Sequence, residues 1–146
     1  MDAHRDDLDR FVRAQQPLQA QITAELVAGI KRTHWMWFVF PQLRGLGRSA
    51  MADHYGLASS TEALAFWRHP VLGPRLKAQT GLVLAHAGRS AQAIFGPPDD
   101  LKFRSSMTLF AHVAPEEPAF ERSLSGPCGG QRDARTLALL DAAPPP

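Results

Sequence analysis

At 146 residues the chain has the length of one ordinary domain, long enough to bury a core without metal or disulfide staples. Apolar residues at 45% and charged residues at 21% exclude the disordered class, and a single cysteine, Cys128, excludes an intrachain disulfide scaffold and fits a reducing, cytoplasmic compartment. Sixteen Lys and Arg against fourteen Asp and Glu leave a formal charge of +2, too small to argue for nucleic acid as a partner.

Met1 to Arg10 mixes acidic and basic groups, with no apolar core of signal-peptide length behind it. Leu8, Phe11 and Val12 recur at i, i+3 and i+4, and Leu18, Ile22 and Leu26 continue the pattern after Pro17, a residue suited to opening a second helix. Gly29 is placed to stop that helix, with Lys31 and Arg32 near its negative dipole end. The run from Trp35 to Phe40 is strongly apolar, yet Pro41, Gln42 and Arg44 end it far short of the ~20 residues that cross a bilayer, so no membrane span is expected. Ser59-Ser60-Thr61-Glu62 reads as a capping box and predicts a helix through Ala63 to Arg68.

His69-Pro70 interrupts this helix, and Gly73-Pro74 restarts one that turns Leu76, Val83 and Leu84 inward and ends on Gly88. Ser90 caps a short turn through Ile94 and Phe95, before Gly96-Pro97-Pro98 breaks the chain. Asp99 or Asp100 is expected to cap a helix from Leu101 to Val113, with Phe103, Met107 and Phe110 on one face and Ser105, Thr108 and His112 on a solvated one. After Pro115 and Pro118, Ala119 to Leu124 reads as a short helix, and Asp133 caps a last one running through Leu140. No stretch alternates as a strand would, and no internal repeat is visible. The prediction is an all-α fold, a single compact domain of about six to eight short helices over residues 1–146, with 142–146 a frayed tail.

Chemistry concentrates in two places. Residues 31–49, reading KRTHWMWFVFPQLRGLGRS, crowd aromatics, a histidine, a glutamine and a Gly-Leu-Gly turn into nineteen positions. The aromatics are first of all core anchors. Arg44 to Ser49 has the glycines, forked donors and helix start of an anion site, without the spacing of a Walker loop or a dinucleotide fingerprint. The second place is the start of the 101–113 helix, where Asp99, Asp100, Lys102, Arg104, Ser105, Ser106 and Thr108 cluster. The six histidines and Cys128 lack metal-ligand spacing, and no nucleophile elbow accompanies Ser105 and His112, so neither a metal nor a serine hydrolase is expected.

Residues 31–43 with Gly45-Leu46-Gly47-Arg48-Ser49 carry a resemblance, joined in order by His69-Pro70-Val71-Leu72-Gly73, Phe95-Gly96, Asp99-Asp100-Leu101-Lys102, Ser105 to Phe110, and the Asp133, Thr136, Leu137 pattern. Over roughly Leu8 to Leu140 the chain resembles the bacterial family known as domain of unknown function 1810. That resemblance implies a small, single-domain, all-helical, cytoplasmic protein, and brings no cofactor and no catalytic residue with it. Some genomes label such proteins calpastatin, but the segments of that inhibitor are disordered polar repeats, unlike this globular composition. The chain departs from the family's pattern near Leu124 to Gln131, where Ser125-Gly126-Pro127-Cys128 stands in place of an aromatic-bearing helix end.

The functional expectation is a ligand-binding module for an anionic, nucleotide-like small molecule. Its site is a cleft between the 31–49 and 99–112 segments, lined by His34, Trp35, Trp37, Gln42, Arg48, Ser49, Lys102, Ser105, Ser106 and Thr108. One alternative is an enzyme using His34 as acid or base in the same cleft. Another is a structural or protein-interaction domain, with no partner specified, whose polar residues lock helices together.

Overall fold

The computed structural model describes residues 3–142, so the expected tail lies outside the described residues except for Ala142, which closes the last helix. The chain winds through α1 (Ala3–Gln15), a 3-10 turn (Gln16–Leu18), α2 (Gln19–Ala28), α3 (Met36–Val39) and α4 (Ala50–His54). It continues through α5 (Ser60–Arg68), α6 (Leu72–Leu84), α7 (Ala91–Phe95), α8 (Asp99–Val113), α9 (Pro118–Ser125) and α10 (Ala134–Ala142). The described residues form no strand, only an isolated parallel bridge between Leu43 and Leu57, so the fold is all-α as expected. The helices exceed the expected number by α3 and α4, whose four and five residues are too short to show a period of 3.6.

Local signals set most helix ends. Gly29 caps α2 at φ 76°, its amide reaching the Leu26 carbonyl at 3.1 Å. Ser90 accepts from the Ala93 amide at 3.1 Å, and Asp133 accepts from the Thr136 amide at 2.9 Å. The capping box is half formed: Ser59 accepts from the Glu62 amide, but Glu62 reaches one residue further back, to the Ala58 amide at 2.9 Å. Two expectations fail. α6 stops at Leu84, four residues before Gly88, and Pro98 occupies the N-cap of α8, leaving Asp99 and Asp100 inside its first turn, where their charge still suits the dipole.

α8 is the central element, packed by α3, α5, α7, α9 and α10. Phe103, Met107 and Phe110 face the core as their spacing predicts, but the opposite stripe is not solvated. Ser105 and Thr108 are buried, and their hydroxyls donate to the carbonyls of Leu101 and Arg104, one turn back, at 3.0 and 2.8 Å. Only His112 of that stripe is exposed, because the chain entering α10 covers the rest: the Asp133 amide donates to Thr108 Oγ1 at 3.0 Å. Two ring clusters meet on α8. Phe40, Phe95 and Phe103 stand 4.7 to 5.8 Å apart, and a row runs from Phe11 through Phe66 and Phe110 to Phe120 at 5.1 to 5.7 Å. No helix among the described residues is long and apolar enough to cross a membrane.

Candidate functional site

The 31–49 segment is anchored from below by Glu25, a residue the sequence reading passed over. Ile22, Glu25 and Leu26 share the buried face of α2, so this carboxylate enters the core where an apolar side chain would be routine. Its Oε1 accepts from the Arg32 amide (2.6 Å), the Thr33 amide (3.0 Å) and the Trp35 indole (3.1 Å), and its Oε2 from the Thr33 hydroxyl (2.6 Å) and Gln21 (2.9 Å). Burial pushes the carboxyl up, but these donors pull harder and bring it from 4.5 to about 2. Lys31 adds a second tie: its side chain packs over the Trp35 ring and its Nζ meets Asp99 Oδ2 at 2.8 Å. The Lys-Arg-Thr-His-Trp block is therefore largely architecture. The one sequence signal for it was a glutamate at an i+3 position of an apolar stripe.

Beyond Pro41 the chain turns along α8. Arg44 donates its amide to Leu57 and Leu57 donates to Gln42, closing the loop against the start of α5. Gly47 passes so close to α4 that a Cβ there would stand 2.5 Å from Ala52 Cβ, which accounts for the second glycine of Gly-Leu-Gly. A cleft of about 300 Å³ opens beside this loop. Gln42, Leu46 and Gly47 form one wall, Leu101, Lys102 and Ser105 the second, and Asp133 and Arg135 the third. Arg135 ties the third wall to the first through the Gly45 and Leu46 carbonyls at 3.4 Å. Lys102 Nζ stands 4.9 Å from the centre of the Trp37 ring and 3.5 Å from Asp99. Beneath it Trp37, Phe40, Gln42 and Tyr55 leave an apolar slot of about 10 Å³, no more than a water molecule fills.

Of the ten expected lining residues, the structure gathers Trp37, Gln42, Lys102 and Ser105 at these two openings. Three lie in the interior instead: Trp35 and Ser106 are 0% exposed and Thr108 1%, because α8 is central and Glu25 draws Trp35 inward. Ser49 spends its hydroxyl capping α4, accepting from the Ala52 amide at 3.0 Å, and Arg48 is exposed; neither lines the cleft. His34 is exposed and outside both openings, and no serine or carboxylate is within hydrogen-bond reach of its ring among the described residues. The geometry assembles no acid–base pair around it. Arg135 and Asp133 entered the site unexpectedly, since nothing in local sequence says that α10 folds back over α8.

Among the described residues no group of three or more His, Cys, Asp or Glu is placed to hold a metal. Cys128 is buried, and burial raises its thiol to about 11, which leaves it protonated and inert.

These features define an all-helical domain with a small polar cleft at the edge of its central helix. The chain belongs to the family described as protein of unknown function (DUF1810), whose pattern matches residues 5–140. It is similar to the crystal structure of the conserved hypothetical protein Rv1873 from Mycobacterium tuberculosis, with 55% identity and a TM-score of 0.91 over 94% of this chain and 98% of that one. No curated protein matches it.

Proposed function

We propose that the protein is a cytoplasmic binding module for a small, anionic, partly planar ligand held in the cleft between residues 42–47, the start of α8 and the start of α10. The observation that carries this reading is the position of Lys102. Its ammonium lies against the Trp37 ring while its side chain lines the cleft with Gln42 and Ser105, so a cation, a ring and polar groups from separate parts of the chain converge. Arg135 supplies a second cation across the opening. About 300 Å³ is at the small end of ligand sites, which suits a nucleoside monophosphate better than a dinucleotide. A ligand oxyanion would replace Asp99 as the partner of Lys102.

Thermal-shift titration with nucleoside monophosphates, sugar phosphates and ADP-ribose tests the reading. A ligand present at 100 times its Kd stabilises by about 2.7 kcal/mol, a readily measured rise in melting temperature. Lys102→Ala should cut the affinity by ~10-fold or more while lowering the unliganded melting point only slightly, since Asp99 keeps its shorter ion pair with Lys31 at 2.8 Å. A flat response to the whole panel at millimolar concentration would defeat the proposal.

A structural role has its own support: Ser105 and Thr108 donate their hydroxyls to helix carbonyls, and Thr108 also holds the Asp133 amide. On that reading the same titration stays flat and every loss on mutation is a loss of stability. His34 is given no catalytic part in either reading.

A further inference from the structure

We infer that a second cleft, between the end of α6 and the end of α9, binds a small phosphomonoester. It measures about 340 Å³ and shares no lining residue with the cleft beside α8. Its polar walls are His86, Arg89 and Ser90 on one side and Arg122 on the other, and among the described residues no carboxylate lines it. The turn-rich stretch after α9 supplies Gly126, Pro127 and Gly129.

Part of this basicity has a structural use. His86 Nε2 bonds the Leu26 carbonyl at 2.8 Å and Arg89 Nη1 donates to the Gly29 carbonyl at 2.9 Å, at the negative end of α2. Those contacts fix the two side chains in place, but a carbonyl is a dipole and leaves the guanidinium charge uncompensated. Arg122 has no such use. No ion pair among the described residues involves Arg122, Arg89 or His86, and the neighbouring Glu121 is taken by Arg132 at 2.6 Å.

Two arginines lining one space, with no carboxylate beside them among the described lining residues, match a group that carries nearly two negative charges and several acceptor oxygens. A phosphomonoester, at about −1.5 to −2 near neutrality, is that group. Ser90 accepts from the Ala93 amide, so its hydroxyl proton is free to be donated to a phosphate oxygen. Leu84, Ala87 and Pro127 give an apolar wall for the organic part, and the volume exceeds what bare phosphate fills.

The test is an amide-resolved NMR titration of the full chain at fixed ionic strength, with inorganic phosphate, glycerol 3-phosphate and chloride as probes. Saturable shifts at residues 86–90 and 126–129, with glycerol 3-phosphate binding more tightly than phosphate and chloride silent, are the expected result. Arg122→Gln, at an exposed position with no ion pair among the described residues, should weaken binding ~10-fold or more with no change in melting temperature, and Lys102→Ala should leave it intact. Absence of saturation, binding untouched by Arg122→Gln, or shifts confined to residues 42–47 and 102 would overturn the inference. Only the last of these would count for the other cleft.

Discussion

Glu25 shows how one side chain can hold a motif together. It receives five hydrogen bonds in the interior, four of them from the 32–35 stretch that would otherwise be a loop with unsatisfied donors. Glu25→Gln halves the accepting capacity and points an amide at the same donors, so a loss on the order of 3 kcal/mol is expected in urea unfolding at neutral pH. The pH dependence follows from the carboxyl being held at about 2 rather than 4.5. Because the folded value is the lower one, the unfolded chain takes up the proton first as pH falls. The stabilisation is therefore complete above about pH 4.5, is lost as pH falls towards about 2, and amounts to roughly 3 kcal/mol from a shift of that size. The gap between the wild-type chain and Glu25→Gln should be constant from neutral pH to about 5 and shrink below that. A gap that persists undiminished at pH 2 would mean that the charge on Glu25 is not what holds the segment.

At the scale of elements, α10 joins the domain through a few polar contacts rather than a broad apolar face. Thr136 is its buried residue, while Leu137 and Leu139 remain exposed. Asp133 holds the helix start through the Thr136 amide and hydroxyl, and its own amide is held by Thr108. Asp133→Ala should cost about 1 kcal/mol, the usual worth of an N-cap, and Thr108→Val a similar amount. In hydrogen exchange both changes should release the amides of α10 first and leave those of α8 protected. The caps at Gly29, Ser90 and Asp133 were legible in the sequence because they depend on residues within four positions of one another. What α10 lies against was not legible, because it depends on a threonine twenty-five residues away. The same division explains Ser105, Ser106 and Thr108. Polarity suggested a wet face, but a hydroxyl that bonds its own helix carries no demand for water, so these positions could be covered. Gln42, Lys102 and Ser105 were expected from composition to line one cleft, whereas Asp133 and Arg135 reach that cleft only through the tertiary fold.

For the molecule as a whole, one buried cluster extends from Leu8 on α1 to Cys128 beyond α9, and the described residues form no second core for the helices to fall back on. Phe110 is where its parts are joined. The ring is 0% exposed on the central helix, 5.6 Å from Phe66 of α5 and 5.7 Å from Phe120 of α9, with Trp67 another 5.2 Å beyond Phe120. Phe110→Ala removes the middle of that row and leaves a cavity that rigid neighbours close only in part, a loss of about 3 to 5 kcal/mol. Phe110→Leu keeps most of the volume and should cost distinctly less. With a single core, tryptophan fluorescence and far-ultraviolet circular dichroism should report the same transition in both variants, displaced to lower denaturant with the slope unchanged. Two separated transitions would mean that α5, α6 and α9 form a unit that survives the loss of α8. The packing argues against this, since Phe66 of α5 and Phe120 of α9 both pack on Phe110 of α8.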